Sequence, residues 1–563
     1  MAARINEKQH TFCNPINISY RYQEGYYGRE AADPSVVLFR GEYYLFASHC
    51  EGYWFSTDLY EWNFVSIDPE IMPEIEKFAP TAYEYRDTLY LVHSENGSIF
   101  KSSDPKSGRW EYVGRPLDLA DPMVFVDDDQ RIYCYYGCSD KLPLYVAELD
   151  GENNMALTGT PKPCIYSNPE EHGFEVPGDS NTRYEGECWL EGAWAVKNEG
   201  KYYLQYAVPG TEYRTYADGC YVAESPMGPF VYCENSPVSC KATGYVTGAG
   251  HGSLIRDLKG NWWKFGTVSI SVNHRFERRI VMTPARFNAY GELECNMSCA
   301  DYPMFLPNES EWPFESPGPG WNLLSFGCRT ECSSFIPGHE SANAVDENIR
   351  SWWSAESGSR GEYLILDLGS VCTVNGIAVN FADEQAENTG RREGSINYSY
   401  LLEYSMDGSC FKVLANCSKY GRCGKFATDT SHDYYEVCEG TAIRYLRLTN
   451  MGNVPAGGKF AVSGLRVFGT APGRKPAEVT NAEVTRDIAD RRKVHLRWDP
   501  VEGADGYEIF YGIHADSLNI TCKVFKTNEI TLCNLNTGNT YFFVITAFNT
   551  CGSSEAGRIY SIL

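Results

Sequence analysis

GREAADPSVVLFRGEYYLFAS, residues 28–48, decides the fold. An aspartate, Asp33, precedes a proline. An alternating apolar run follows, then a Gly-Glu turn, then YYLFAS. Alternation over four to eight residues on both sides of a tight turn predicts two antiparallel strands. The same turn-and-strand signature returns as DTLYLVHS, QRIYCYYG, GKYYLQYA and GNWWKFGT, so that the five copies begin at residues 41, 87, 130, 200 and 260. Several copies lead into a further strand with a Ser or Asp turn, as in GYWFSTDLYEW (52–62), SIFKSSDPKSGRW (98–110) and CYVAESPMGPF (220–230). Five small antiparallel sheets in about 300 residues predict a five-bladed β-propeller. The copies are unevenly spaced, and the longest interval holds PEEHGFEVPGDSNTRYEGECWLEGAW (169–194). Long loops in compact domains tend to carry function.

Beyond the repeats, WPFESPGPGW (312–321) and APGRKPAEV (471–479) read as domain joints. Short alternating strands separated by turn residues fill both segments that follow, as in β-sandwiches. The expected architecture is all-β: a propeller over 1–318, a sandwich over 319–472 and a smaller sandwich over 473–563. The 563 residues are ample for three cores, and the 40 tyrosines and 14% aromatic content suit strands and ring-stacked polar ligands. A net charge of −25 argues against nucleic acid as partner. No run of about 20 apolar residues predicts a membrane span. The 21 cysteines follow no zinc-ribbon spacing, and their odd number leaves at least one unpaired within the chain. Cys328 and Cys332 could bridge or stay free thiols.

ADPSVVLFRGEYYLFAS, LADPMVFVDDDQRIYCYYG, WLEGAWAVKNEGKYYLQYA and GAGHGSLIRD, in that order, resemble glycoside hydrolase family 43 over about residues 12–310. Residues 325–470 resemble a discoidin-like (F5/8 type C, family 32 carbohydrate-binding) module. Residues 475–563 resemble a fibronectin type III domain through Trp498, Tyr507, Leu535 and Tyr541. The first resemblance implies a propeller with three acids in a central cleft. On that basis Asp33 matches the general base, Asp121 the acid that tunes and orients the proton donor, and Glu191 the general acid. Glu191 is preferred to Glu185 and Glu187 because EGAWAVK leads directly into a blade strand. The chemistry is coherent: glycoside hydrolysis needs one carboxyl to protonate the leaving oxygen and one carboxylate to activate water. The family's inverting mechanism implies about 6.5–9.5 Å between the Asp33 and Glu191 carboxyls.

The resemblance further implies that His251, in GHGS, lies near the axis and that Arg278, in FERRIVMTP, contacts the sugar, with Arg279 facing the other side of its strand. Tyr26, Tyr27, Trp54, Phe78 and Trp194 are the candidate stacking rings. In the discoidin-like module Asp346, within AVDENIRSWWSA, is a candidate calcium ligand, although the acid that relatives carry near the last strand is replaced by Ser463-Gly464-Leu465. Trp352 and Trp353 are candidates for sugar contact or core. No cofactor is required. The activity expected is exo-acting release of terminal furanose residues from plant or microbial polysaccharide. An α-L-arabinofuranosidase ranks first, a β-D-galactofuranosidase second, and a β-xylosidase or galactosidase behind. A non-catalytic glycan-binding propeller is the alternative of a different class. MAARINEKQH lacks a hydrophobic signal core, and a polysaccharide substrate implies a periplasmic or extracellular enzyme whose export signal is not part of this sequence.

Overall fold

A computed structural model describes every residue except 1–4, 7, 23–28, 69–71, 73–77, 95, 117, 271–274, 387–397 and 418–430. The described residues are almost entirely strand and turn, with a few short 3-10 turns. Five antiparallel sheets form the blades, each starting with a strand paired to one of the repeat strands. The first strands are Ser35–Phe39, Thr81–Tyr85, Met123–Val126, Glu191–Asn198 and Leu254–Arg256. Their partners are Glu42–Phe46, Thr88–Val92, Ile132–Tyr136, Lys201–Val208 and Trp262–Ser269. The predicted repeat is therefore the blade itself.

Apolar side chains from one blade interlock with those of the next, and this closes the ring. Phe46 and Tyr53 of blade one pack with Ala82 and Leu91 of blade two, and Tyr83 and Val92 pack with Val124 and Cys134 of blade three. Tyr135 and Val146 join Ala195 and Leu204 of blade four, which meet Leu254 and Val281 of blade five. Trp263 and Phe265 of blade five return to Val36, Leu45 and Trp54 of blade one. The N-terminal segment fastens this seam. Asn14 exchanges side-chain hydrogen bonds with the backbone of Met282, and Thr11–Phe12 pairs with Met304–Phe305.

Two further bodies are docked on the ring. Strands from Asn322 to Thr470 form one eight-stranded sheet around a core that includes Trp353, Leu366, Tyr400 and Leu448. A three-stranded and a five-stranded sheet between Ala482 and Ile562 enclose Trp498, Tyr507, Leu535 and Tyr541. Buried ion pairs tie each body to the propeller. Arg29 meets Asp383 at 2.7 Å with both side chains fully buried, and Lys523 meets Asp301 at 3.2 Å beside Lys241.

Several expectations need correction or completion. The described cysteines, Cys328 and Cys332 among them, are free thiols; the Cys328 Sγ donates to the Leu324 carbonyl instead. Trp353 is core. Trp352 stacks on His339 at 4.1 Å, donates to Glu384 and packs against the propeller, so it presents no open sugar platform. Asp346 accepts from the Ser351 hydroxyl and the Asn348 amide, while its neighbour Glu347 is neutralised by Arg466 at 2.7 Å. Among the described residues Asp346 thus brings one carboxylate to this loop, already engaged by Ser351 and Asn348.

Candidate active site

The five first strands converge, and the residue leading into each faces one cavity. Asp33, Ala79, Asp121, Glu191 and His251, one from each blade, line a space of about 400 Å³. The backbone turns sharply at each entry. Asp33, Ala79, Asp121 and His251 have φ of 53°, 35°, 46° and 42°, in the left-handed region. In blade four the turn falls on Gly192 (φ 62°), at a register shift between Glu191 and Trp194. A Cβ on Gly192 would lie 2.6 Å from the His251 ring, so glycine is required there. Such bulges re-aim a side chain out of the sheet; here Glu191 is turned into the cleft.

Residues at or just beyond the ends of the second strands stitch blades to their neighbours. The Ser48 hydroxyl donates to Asp33 Oδ2 at 2.6 Å and accepts from the Ala79 amide. Ser94 accepts from the Asp121 amide at 3.0 Å. Thr267 accepts from the Asp33 amide at 2.8 Å and donates to the His251 carbonyl at 3.0 Å. In blade three the corresponding group is a thiol: Cys138 Sγ donates to Glu191 Oε2 at 3.2 Å. The other oxygen of Glu191 accepts from the Tyr216 hydroxyl at 2.5 Å.

These contacts divide the acids electrostatically. Burial pushes Asp33 up, but the Arg278 guanidinium at 3.0 Å, the His251 ring at 3.4 Å and the Ser48 hydroxyl outweigh it and leave its carboxyl below the ordinary range. Asp121 has no such arginine. Burial pushes it up to about 7; His251 opposes this, while the negative charges of Glu191 and Asp33 reinforce it. His251 is moved up in turn, because the surrounding carboxylates, Asp33 first and Asp121 next, outweigh the burial that would lower it. Burial first, then the charges of Asp121 and Glu191, holds the Cys138 thiol protonated. Asp121, Cys138 and Glu191 offer donor atoms within 4.8 Å of one another.

Of the residues singled out in the sequence, Asp33, Asp121, Glu191, His251, Arg278 and Phe78 line the cavity. Arg278 also binds Glu30 through its Nε at 2.6 Å, whereas Arg279 turns away to Ser431 and the Tyr20 ring, as strand alternation requires. Trp54 and Trp194 do not reach the cavity. Trp54 is fully buried between blades with its indole N–H on Ser19, and Trp194 is packed in the core with its N–H on the Leu254 carbonyl. Their rings fill the seams between blades, where a flat apolar group buries the most area. Tyr26 and Tyr27 lie outside the described residues. The cavity is lined in addition by Trp189, Thr211, Glu212, Arg275 and Phe276. Phe276 packs against Phe78 with ring centres 6.0 Å apart and lies under the Arg278 guanidinium, so the two form an aromatic wall. These residues were not singled out because they lie in irregular loops. Cys138 and the three hydroxyls were legible in principle, since each ends or directly follows a copy of the repeat.

Comparison with known proteins identifies two of the three bodies. Residues 28–292 match the glycosyl hydrolases family 43 profile, and residues 329–461 match that of the F5/8 type C domain. The chain is similar to a beta-xylosidase of Xylanibacter ruminicola, 24% identical over 330 residues that span 47% of this chain and 95% of that protein. It is similar to xylosidase/arabinosidase 43A of Humicola insolens, 26% identical over 42% of this chain and 86% of the relative. It is also similar to the beta-D-galactofuranosidase xynD of Aspergillus niger, 26% identical over 35% of this chain and 62% of the relative. The propeller is thus a glycosyl hydrolases family 43 domain, and the eight-stranded body beside it is an F5/8 type C domain.

Proposed function

We propose that this protein is an exo-acting, inverting glycosidase that removes terminal furanose residues from a glycan, with α-L-arabinofuranosides as the preferred substrates. The observation that carries the reading is the electrostatic division of the acids around one cavity. Asp33 is held ionised by Arg278 and suits a general base. Glu191, turned into the cleft by its bulge, suits the proton donor, and Asp121 with Cys138 and Tyr216 orients it. In the proposed step, Asp33 takes a proton from a water that attacks the anomeric carbon as Glu191 gives its proton to the departing glycosidic oxygen. The bond to the leaving sugar breaks, and the anomeric configuration inverts. Phe78 and Phe276 supply an apolar face for the sugar, and Trp189, two residues before Glu191, lines the same cavity.

A β-D-galactofuranosidase is the second reading, favoured by one relative's name and by stereochemistry. β-D-Galactofuranose has the ring configuration of α-L-arabinofuranose plus one exocyclic carbon, and pockets discriminate such additions by only about 1–3 kcal/mol. β-D-Xylosides are the third reading, suggested by relatives named beta-xylosidase and xylosidase/arabinosidase. The C-terminal two-sheet body is read as a fibronectin type III-like packing domain. Export would bring the enzyme to polymeric substrate, whereas the free thiols are of a kind that a reducing compartment preserves and suit a role on imported oligosaccharides. The test is release of 4-nitrophenol from α-L-arabinofuranoside, β-D-galactofuranoside, β-D-xyloside and β-D-galactopyranoside, with the product anomer followed by proton NMR. Turnover of a furanoside with inversion, abolished by Asp33→Asn, supports the reading. Retention, or glycan binding with no turnover of any substrate, overturns it.

A further inference from the structure

The loop 210–216 of blade four touches both halves of the machinery. Gly210, Thr211 and Glu212 form one wall of the cavity. Thr211 Oγ1 accepts from Arg278 Nη1 at 3.2 Å, and Tyr216 donates to Glu191. A displacement of this loop would therefore disturb the arginine that holds Asp33 and the carboxyl of Glu191 together.

Much of what holds the loop comes from the neighbouring F5/8 type C domain. Arg350 Nη2 donates to the Glu212 carbonyl at 3.0 Å, and its Nε donates to the Ser269 carbonyl of blade five at 3.3 Å. Its Nη1 donates to both oxygens of Asp179, at 3.2 and 3.3 Å. Asp179 accepts in turn from the Arg214 amide at 2.8 Å, and Arg214 Nη2 donates to Asn348 Oδ1 at 2.7 Å. Ile349, between Asn348 and Arg350, is buried in the propeller core cluster. One side chain thus joins loop 210–216 of blade four, the end of a blade-five strand and the loop that precedes blade four. The three directions of donation need the planar fork of a guanidinium, which an ammonium does not supply.

We propose that Arg350 is a positioning residue for the glycosidase site, and that the F5/8 type C domain acts here as a clamp that fixes loop 210–216. The catalytic part of this inference rests on the function proposed above; the clamp itself does not.

The test compares Arg350→Ala, Arg350→Lys and Asp179→Ala with the wild type, all in the full chain. Backbone amide exchange in 210–216 should rise in Arg350→Ala while exchange in blade two stays as in the wild type. On whichever aryl glycoside the wild type hydrolyses, kcat/KM should fall roughly 10–100-fold, mostly in kcat, because a shift of about 1 Å in catalytic groups costs on that order. Arg350→Lys should not recover it, and added methylguanidine should restore part of the activity of Arg350→Ala. Asp179→Ala, at a half-exposed carboxylate, should give the same exchange signature with a smaller loss, and it carries the test if Arg350→Ala does not fold. Unchanged exchange in 210–216, or kcat/KM within two-fold of wild type, overturns the proposal. If the wild type hydrolyses none of the glycosides, the functional reading fails, and the exchange measurement alone decides whether the clamp exists.

Discussion

Asp121→Asn tests the electrostatics of the cleft through stability. Asp121 is only 8% exposed, and the charged groups around it are His251, Glu191 and Asp33. Burial first, with the two neighbouring carboxylates reinforcing it, raises its carboxyl from 3.8 to about 7. Between those values the folded chain binds a proton that the unfolded chain has released. The unfolded state therefore holds fewer protons, and stability falls as pH rises through this window. The loss begins near the ordinary carboxyl pKa and levels off above about 7. The gap corresponds to about 4 kcal/mol at most. An asparagine of nearly the same shape never ionises and escapes this loss. The substitution changes no other ionisable group, so the difference between the two stability curves reports chiefly on Asp121. Urea unfolding of the propeller, followed by tryptophan fluorescence, should give similar midpoints for the two proteins near pH 4. The variant should become more stable by about 2 kcal/mol at pH 5 and by about 4 kcal/mol at pH 8. Its kcat/KM should nevertheless drop, as expected where a site stores unfavourable charge for function. A stability difference independent of pH, or a variant less stable at pH 8 than at pH 4 relative to wild type, would refute the reasoning.

Asp33→Asn should lower kcat/KM by about 10³–10⁴-fold, a loss in the range for removal of a general base, while isothermal titration still detects binding of the product sugar. Phe78→Ala should raise KM several-fold with little change in melting temperature. Trp54→Ala should do the opposite, costing about 3–5 kcal/mol of stability as a seam cavity and leaving KM unchanged in the folded fraction. Arg29→Met should destabilise by about 3–5 kcal/mol, because the buried Asp383 carboxylate loses the guanidinium that balances its charge; thermal unfolding with domain-resolved probes should show both the propeller and the F5/8 type C domain affected.

The blades were legible because a half-buried strand writes its period directly into the chain. GEYYLFAS and GNWWKFGT alternate, turn and alternate again, and both became the paired strands of blades one and five. The leading acids were legible for the same reason, since a fixed position before a repeated strand is a fixed position at the axis. Ring exposure was not legible. Trp54 and Phe78 are both aromatic residues in blade-forming segments, but Trp54 is enclosed by packing against blade five, whereas Phe78 sits at the entry to blade two. That difference arises from which blade lies next door, not from local sequence. Arg350 was hidden more completely: it reads as part of a loop in another domain, and only the docking of that domain brings it to Glu212.

The left-handed entries show how one scaffold can hold this chemistry. Four of the five entries place a non-glycine residue at positive φ, a conformation that costs on the order of 1–3 kcal/mol each and persists only when the surroundings impose it. The imposing contacts are the ones between blades: Ser48 to the Ala79 amide, Ser94 to the Asp121 amide, Thr267 to the Asp33 amide, and the Asp218 carboxylate to the His251 amide at 2.9 Å. Four blades thereby set the backbone of a neighbouring entry, and the strain at the axis is met by hydrogen bonds between blades. A single blade has no means of holding its acid in place. The chemistry then depends on which side chain each entry carries. Three are acids and one is a histidine that bridges two of them, while blade two carries only the methyl group of Ala79. At that entry the wall steps back beside the Phe78 ring, leaving space for a sugar between an apolar face and the converging carboxyls.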